Sequence, residues 1–266
     1  MTVNNESLQT LSIHVDQRVA TVTLNRPDVR NAFNETTIAE ITQVFQALDT
    51  DASVRAIVLA ANGLAFCAGA DLNWMKKMAD YTHAENIADA GQLAAMLAAI
   101  YRCSKPVVAK VQGDCYAGGM GLVAACDIAV SVDSANYCLS EVKLGLIPAT
   151  ISPYVIKAMG ESAARRYFIT AERFNAAEAQ RIGFVHEVVT SDMLDSKVAE
   201  IVKALVSNSP HAVRQAKRLV QDVASRELTP ELIAATVEGI AQIRASDEGR
   251  EGVRSFLEKR KPGWLT

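Results

Sequence analysis

The sequence predicts an α/β protein that ends in a helical region. Short apolar runs rich in β-branched residues alternate with segments of helical spacing over the N-terminal part, and roughly the last 75 residues are nearly all helical in pattern. Half of the 266 residues are hydrophobic and about a fifth are charged, which is enough apolar surface for a sizeable core. We therefore expect a core at 1–190 and a helical region at 191–266.

The first part of the chain alternates strand and helix. Strands are predicted at 11–15 and 19–24, where β-branched and polar residues alternate on either side of a turn at 16–18. Apolar residues at helical spacing predict a helix over Glu35–Leu48. The short apolar run at 54–60 is typical of a buried strand.

Two loops rich in glycine and alanine follow. The first covers 62–71 and precedes a predicted helix at 84–103. The second covers 113–121, between a predicted strand at 106–111 and a short apolar helix at 122–125. Small residues let a backbone approach a ligand, so the two loops together could direct two N–H groups at one developing oxyanion. On spacing alone, the same residues fit two tight turns packed for steric reasons somewhat better.

The remaining chain contains two more strands and then turns helical. The strands are predicted at 127–132 and 137–139, and helical spacing begins at Ser152. Capping residues predict three further helix starts: Asn175, Ser209 and Thr229.

Composition and motifs exclude several classes of function. The net charge of −3 gives no electrostatic footprint for nucleic acid or an anionic membrane. No apolar run is long enough to span a bilayer and the N-terminus lacks signal-peptide features, so we expect a cytoplasmic protein. The five cysteines and four histidines show no paired or metal-ligand spacing, so neither disulfides nor a metal site are predicted. Dinucleotide-binding and serine-hydrolase motifs are also missing.

One carboxylate stands out among candidate catalytic groups. Glu141 lies in an apolar segment, 140–148, where desolvation would raise its pKa toward a range that suits proton transfer. A salt bridge to Lys143 or a nearby arginine explains the residue equally well. Cys67 fits a packed thiol better than a nucleophile, because no particular histidine is tied to it. Asp127 fits a hydrogen-bonded anchor better than a base.

Several segments, in this order, resemble the crotonase superfamily, the enoyl-CoA hydratase/isomerase family, over nearly the whole chain. These segments are 24–27 with 31–34, 65–72, 105–109, 113–128, 140–148, and 248–253 with 256–262. The resemblance implies a crotonase-like spiral of ββα units with a C-terminal helical trimerisation region. It also implies a homotrimer or homohexamer that binds an acyl-CoA thioester as substrate and needs no metal or other cofactor.

The resemblance assigns roles to particular residues. The backbone N–H groups of Ala68 and Gly118 would stabilise a thioester enolate, and Glu141 would be the acid/base. Phe256 and Lys259 would close over coenzyme A from a neighbouring subunit. The residues that would lie along coenzyme A are Arg26, Ala32, Ala68, Ala70, Asp71 and Leu72.

The sequence departs from the best-known hydratases of the family at one position that matters for the chemistry. Those enzymes carry two glutamates; Glu141 matches the second, but Gly121 stands at the first. This leaves either an isomerase with one base or a hydratase whose water is held differently. Gly121 is also expected to make room for a bulky or branched acyl group, and Trp74 to line the same pocket.

The leading prediction is a lyase that hydrates a 2-enoyl-CoA. The loop and glutamate segments look like the bacterial methylglutaconyl-CoA hydratase branch, which serves leucine or isoprenoid catabolism. One alternative is an enoyl-CoA delta-isomerase that uses Glu141 alone. Another is a non-catalytic trimeric protein that binds acyl-CoA or RNA; the retained Glu141 and both loops count against loss of catalysis, and the net charge counts against RNA.

Overall fold

The N-terminal alternation of apolar and polar residues folds into a hairpin that begins the larger of two sheets. The structure, a computed structural model, describes residues 8–265. The larger sheet has the strand order β1-β2-β3-β5-β7-β10, and only the β1–β2 pair is antiparallel. Its strands are β1 (Leu11–Asp16), β2 (Val19–Leu24), β3 (Ala56–Ala61), β5 (Val107–Val111), β7 (Ile128–Val132) and β10 (Glu187–Val189). The central strands β3 and β5 are almost wholly buried, as expected of parallel strands covered on both faces.

A second, four-stranded sheet forms from segments that the sequence predicts mostly as loops. It has the order β4-β6-β8-β9, in which β4, β6 and β8 run parallel and β9 antiparallel. Its strands are β4 (Ala65–Cys67), β6 (Asp114–Tyr116), β8 (Asn136–Cys138) and β9 (Phe174–Asn175). The expected loops at 62–71 and 113–121 therefore each contain a strand, which at three residues is too short for periodicity to reveal.

Helices cover both sheets and make up nearly all of the C-terminal region. They are α1 (Glu35–Thr50), α2 (Leu72–Met78), α3 (His83–Arg102), α4 (Gly118–Ala125), α5 (Ser152–Thr170, kinked at Gly160), α6 (Ala176–Arg181), α7 (Leu194–Ser207), α8 (Pro210–Val223), α9 (Pro230–Ala245) and α10 (Asp247–Leu257). The three predicted caps are confirmed, since the side chains of Asn175, Ser209 and Thr229 accept hydrogen bonds from backbone N–H groups of the helices that follow them. No helix within 8–265 is long and apolar enough to cross a membrane.

The start of α4 corrects the sequence prediction. The helix begins at Gly118 rather than at Leu122. A Cβ atom built on Gly119 would lie 2.8 Å from the Cβ of Cys67, and one built on Gly121 would lie 2.3 Å from Cγ2 of Ile151. The glycines let the helix approach its neighbours closely, and this packing outweighs their poor helix propensity of about 1 kcal/mol each.

Two sets of contacts attach the C-terminal helices to the core, one apolar and one polar. Helix α7 contributes buried side chains to the main core, among them Leu194 and Val198. Farther along, the Lys217 Nζ of α8 donates to the Asp127 carboxylate at 2.7 Å and to the Lys105 carbonyl at 3.0 Å. Asp127 also accepts from the Val107 N–H at 2.7 Å, so it is the structural anchor that the sequence favours. The division at residue 190 stays a prediction.

Candidate active site

Three loops meet at one edge of the small sheet. In parallel strands the carboxyl ends lie on the same side, and here Cys67 of β4 is paired with Cys115 of β6, while Tyr116 of β6 is paired with Cys138 of β8. A Cβ atom built on Gly69 would lie 3.9 Å from the Gly118 nitrogen. The two glycine-rich loops are therefore in contact, and the loop that carries Glu141 leaves the neighbouring strand.

The Gly118 N–H is an open hydrogen-bond donor at the start of α4. The preceding residue, Ala117, has φ 48° and ψ −125°, a backbone conformation that residues other than glycine rarely adopt. The first N–H of a helix has no acceptor within that helix, and no other residue in the described part of the chain accepts from Gly118. The positive end of the helix dipole favours a negative charge at this position.

The Ala68 N–H has a different environment from the one expected. It donates to the carbonyl oxygen of Arg30 at 3.0 Å instead of facing open space. Arg30 is held there by a left-handed backbone, with φ 52° and ψ 40°. Ala68 can therefore serve as an oxyanion donor only if the Arg30 carbonyl moves or shares the hydrogen.

Glu141 is half-buried and has no ion-pair partner among residues 8–265. It opens a short 3-10 turn after β8, and its Oε2 atom is buried with no hydrogen-bond partner in that range. Burial raises the pKa of Glu141, an effect that its own backbone N–H offsets only in part. The alternative of a salt bridge to Lys143 or an arginine is not realised, which favours the interpretation as a proton-transfer group.

The expected free space beside Gly121 is absent, so that prediction is wrong. A Cβ on Gly121 would lie 2.3 Å from Cγ2 and 2.8 Å from Cβ of Ile151, and 3.5 Å from Cδ2 of Leu97. Ile151 itself is only 3% exposed. The missing carboxylate is thus replaced by an aliphatic side chain that arrives from the start of α5, and the neighbourhood of Gly121 is apolar and filled.

The residues expected along coenzyme A form a connected group at the start of α2. Arg26 Nη2 donates to Asp71 Oδ2 at 2.8 Å, and Asp71 caps α2 by accepting from the Asn73 N–H at 2.8 Å. Burial alone would raise the pKa of Asp71, but the hydrogen bonds from Arg26, Asn73 and Trp74 outweigh it, so the pKa lies below its ordinary value. Leu72 beside them is 74% exposed, whereas Ala32 is buried and Ala70 half-buried.

Two aromatic rings lie beneath the glycine loop. Trp74 is buried, donates from Nε1 to Asp89 at 3.0 Å, and has its ring centroid 5.8 Å from that of Phe33. The Phe33 ring in turn lies against Gly118, where its Cζ is 2.4 Å from a built Cβ. The sequence did not predict that Phe33 packs against Gly118, although the 31–34 segment was among those that carry the family resemblance.

Cys67 does not have the properties of a nucleophile. Burial raises the pKa of its thiol to about 12, so the reactive thiolate does not form at neutral pH. Its Sγ lies 3.2 Å from the carbonyl oxygen of Asn31.

Within 8–265, no three His, Cys, Asp or Glu side chains are grouped so as to hold a metal ion.

Phe256 and Lys259 are exposed, Phe256 to 81%. Two grooves of about 640 and 680 Å³ are also found in the C-terminal region, the first between α8 and α9 and the second between α9 and α10. Neither groove is lined by a predicted catalytic residue. We attribute the chemistry to the loop edge, because the buried carboxyl and the open main-chain donor are there.

A carboxyl group with a buried oxygen, on the same sheet edge as an open main-chain donor, is typical of an enzyme that moves protons while stabilising an oxyanion. The family model for enoyl-CoA hydratase/isomerase matches residues 14–266. The chain is an enzyme of this enoyl-CoA hydratase/isomerase family. The predicted crotonase fold is confirmed.

Three similar proteins illustrate the match. A crystal structure of an enoyl-CoA hydratase from Shewanella pealeana is 42% identical with a TM-score of 0.95, covering 98% of this chain and 97% of that one. A structure from Legionella pneumophila, assigned as an enoyl-CoA hydratase/isomerase (crotonase), is 43% identical with a TM-score of 0.92, covering 97% and 100%. The 2,3-dehydroadipyl-CoA hydratase of Escherichia coli K12 is 32% identical, covering 95% of this chain and 97% of its own.

Proposed function

We propose that the protein hydrates a 2-enoyl-CoA thioester with Glu141 as the single carboxyl group that transfers protons. The observation that carries this proposal is the buried Oε2 of Glu141, which has no hydrogen-bond partner among residues 8–265, at the sheet edge where Gly118 offers an open N–H. Ile151 packs closely against Gly121 and leaves no room there for a second carboxylate, which supports a mechanism with one carboxyl group.

The proposed reaction balances with one base. Glu141 takes a proton from water as the water oxygen bonds to C3, and the electron pair of the double bond moves toward the thioester oxygen. The resulting enolate is stabilised by the Gly118 N–H, which has no acceptor among residues 8–265. Glu141 then delivers its proton to C2, which completes the addition of water. Main-chain donors of this kind typically contribute about 10²–10³-fold in kcat.

An enoyl-CoA delta-isomerase is the second candidate, because the same single carboxyl group suffices for it. Glu141 would remove a proton from C2 and return it at C4. Incubation of the purified protein with 2-enoyl-CoA and 3-enoyl-CoA in oxygen-labelled water separates the two. Label in the product and loss of the conjugated thioester absorbance support hydration. Formation of the conjugated thioester without label supports isomerisation, and binding without turnover supports a non-catalytic protein.

For the acyl group, we propose a branched, acidic thioester such as methylglutaconyl-CoA, in leucine degradation. Two points support it: residue 121 carries no charge to repel a distal carboxylate, and one relative is named for a dehydroadipyl thioester, which has a distal carboxylate. The support from Gly121 is its neutrality and not free space, which Ile151 fills.

We expect kcat/KM for methylglutaconyl-CoA to exceed that for crotonyl-CoA by about tenfold or more, because discrimination depends on transition-state binding of the two acyl groups. Parallel steady-state assays with both thioesters measure the ratio. A preference for crotonyl-CoA would contradict the acidic substrate while leaving hydration intact.

We also propose that the protein is cytoplasmic and forms a homotrimer or homohexamer through its C-terminal helices. Several apolar side chains there are 48–81% exposed: Val237, Ile240, Val253, Phe256 and Leu257. Covering such side chains with another copy removes apolar surface from water. A trimer or hexamer is expected in sedimentation at micromolar concentration. Ile240→Asp should shift the distribution toward monomer, and Val15→Asp on strand β1 is the matched control. A monomeric wild type would contradict the proposal.

A further inference from the structure

Phe33 is a buried aromatic residue, 2% exposed, that contacts both glycine-rich loops. Its main chain forms a parallel bridge with Ala70: the Phe33 N–H donates to the Gly69 carbonyl at 2.9 Å, and the Phe33 carbonyl accepts from the Asp71 N–H at 3.0 Å. Its ring lies against Gly118 of the second loop. One residue therefore holds the first loop through its backbone and the second loop through its side chain.

The Phe33 ring explains why residue 118 is a glycine. Gly118 does not have a positive φ, so its backbone conformation is open to other residues. A Cβ built there would nevertheless lie 2.4 Å from Cζ, 2.9 Å from Cε1 and 3.7 Å from Cε2 of Phe33, and these would be its nearest heavy atoms apart from its chain neighbours and its own helix backbone. The ring is thus the direct steric neighbour of the residue that carries the open N–H.

Two contacts fix the start of α4. On one side, the Phe33 ring is backed by the buried Trp74, whose ring centroid lies 5.8 Å away with the two planes inclined at 52°, and whose Nε1 donates to Asp89 of α3 at 3.0 Å. On the other side, the Ala117 N–H donates to the Cys138 carbonyl of β8 at 2.8 Å. Because protein interiors are closely packed and transmit displacements, a change in the ring is expected to move the helix start.

We propose that Phe33 is a positioning residue for the reaction: its ring fixes the start of α4 so that the Gly118 N–H is aligned on the thioester oxygen. This inference rests on the proposed function. A main-chain donor stabilises the enolate best when it lies about 2.7–3.1 Å from the developing oxyanion, so the contact that sets the position of the helix start also sets the strength of the donor. Phe33 acts through Gly118 and has no need to touch the substrate.

Loss of the Phe33 ring is expected to affect the transition state more than substrate binding. In Phe33→Ala the first turn of α4 can shift toward the vacated space, while the Glu141 carboxyl group is untouched. A misplacement of about 1 Å at a reacting group can cost 10²-fold in rate. We therefore expect kcat to fall roughly 10-fold to 100-fold and KM to change less than about threefold.

The test is a double-mutant cycle, because Gly118→Ala keeps the N–H donor but places a Cβ against the ring. The new methyl group should push the start of α4 away from Phe33 and lower kcat by roughly 10²-fold. Adding Phe33→Ala to Gly118→Ala removes the clash, so kcat of the double variant should be about tenfold or more above that of Gly118→Ala. Such a rescue requires that the ring and the donor are coupled through this contact.

The readouts are kcat, KM, the melting temperature and the red shift of a bound aryl-conjugated enoyl-CoA, which reports polarisation of the thioester carbonyl and needs no turnover. Phe45→Ala is the matched control, because Phe45 is a fully buried phenylalanine of α1. It should lower the melting temperature but leave the red shift unchanged. Where an alanine variant does not fold, Phe33→Leu and Phe45→Leu take their places, since leucine also lacks the Cζ and Cε atoms that meet Gly118.

The expected result is a smaller red shift and a lower kcat in the Phe33 variant and in Gly118→Ala, with both quantities higher in the double variant than in Gly118→Ala. A normal red shift in the Phe33 variant would overturn the proposal whatever its melting temperature, because it marks a merely structural role. A double variant no more active than Gly118→Ala would overturn it too. If Gly118→Ala does not fold, the red shift of the Phe33 variant decides alone. These results leave the proposed function standing, whereas a wild type that hydrates no enoyl-CoA refutes that function itself.

Discussion

Replacement of Glu141 by glutamine is expected to lower kcat by about 10²–10⁴-fold and, at the same time, to raise the stability of the fold. Glutamine keeps the shape of the side chain but cannot cycle a proton. It also removes a carboxylate whose Oε2 is buried without a hydrogen-bond partner in the described part of the chain. We expect a gain on the order of 1 kcal/mol in the free energy of unfolding at neutral pH, the size typical when a destabilising functional group is replaced.

The pH dependence of that gain follows from the sign of the pKa shift. Burial raises the pKa of Glu141 in the folded state above its ordinary value of 4.5. Below the unfolded pKa, Glu141 is protonated in both the folded and the unfolded state. Its ionisation then makes no difference between the free energies of unfolding of the wild type and Glu141→Gln. As the pH rises from the unfolded pKa to the folded pKa, the unfolded state loses its proton while the folded state keeps it, so the wild type loses stability relative to the variant, and the full difference is reached above the folded pKa. The activity of the wild type should fall on the acid side through the same raised pKa.

Thermal unfolding and steady-state kinetics across the acidic to neutral range check both parts of this prediction. Glu227→Gln is the matched control, because Glu227 is an exposed glutamate far from the small sheet in sequence and should change neither quantity. A fall in kcat of less than about tenfold in a folded Glu141→Gln protein would show that another group transfers the proton.

The sequence predicted the larger sheet and the C-terminal helices well because their periodicity is long and regular. Strands β2 and β3 and helix α1 were located to within two residues at each end. Convergence of the two glycine loops was one of two interpretations of the sequence, and the parallel strands before the loops do bring them to one edge. The raised pKa of Glu141 followed from its apolar neighbours in sequence, and burial is indeed the main cause.

The features of the candidate site that the sequence did not predict depend on contacts between residues that are distant in sequence, and no local pattern reports such contacts. The Arg30 carbonyl reaches Ala68 across the 31–67 segment, and only the fold reveals that this donor is occupied. Ile151 fills the space beside Gly121 from 30 residues away, so a glycine that looks like free space is a site of close packing. The strain at Ala117 is likewise a tertiary property, since alanine gives no sequence indication of a positive φ.

The close packing of Ile151 against Gly121 determines the result that we expect for Gly121→Glu. The new Cβ would lie 2.3 Å from Cγ2 of Ile151, and the carboxylate would enter apolar, filled surroundings. Overpacking together with an unpaired buried charge is expected to destabilise the fold by about 3 kcal/mol or more. Because the packing fails before any substrate is bound, kcat/KM should fall for acidic and neutral acyl-CoA alike. Gly91→Glu is the matched control: no heavy atom lies within 4 Å of a built Cβ there, so the same substitution should be tolerated.

The double variant Gly121→Glu with Ile151→Gly separates packing from charge. Alanine at 151 would not suffice, since a Cβ on residue 121 would also lie 2.8 Å from the Cβ of Ile151. Removing the whole side chain should restore much of the stability lost in Gly121→Glu, as measured by thermal unfolding. In this folded background the second carboxylate repels an acidic acyl group, so the ratio of kcat/KM for methylglutaconyl-CoA to that for crotonyl-CoA should fall below the wild-type ratio. Equal stability of the single and double variants would show that Ile151 is not what excludes a carboxylate here, and an unchanged ratio would show that the acyl group carries no charge near residue 121.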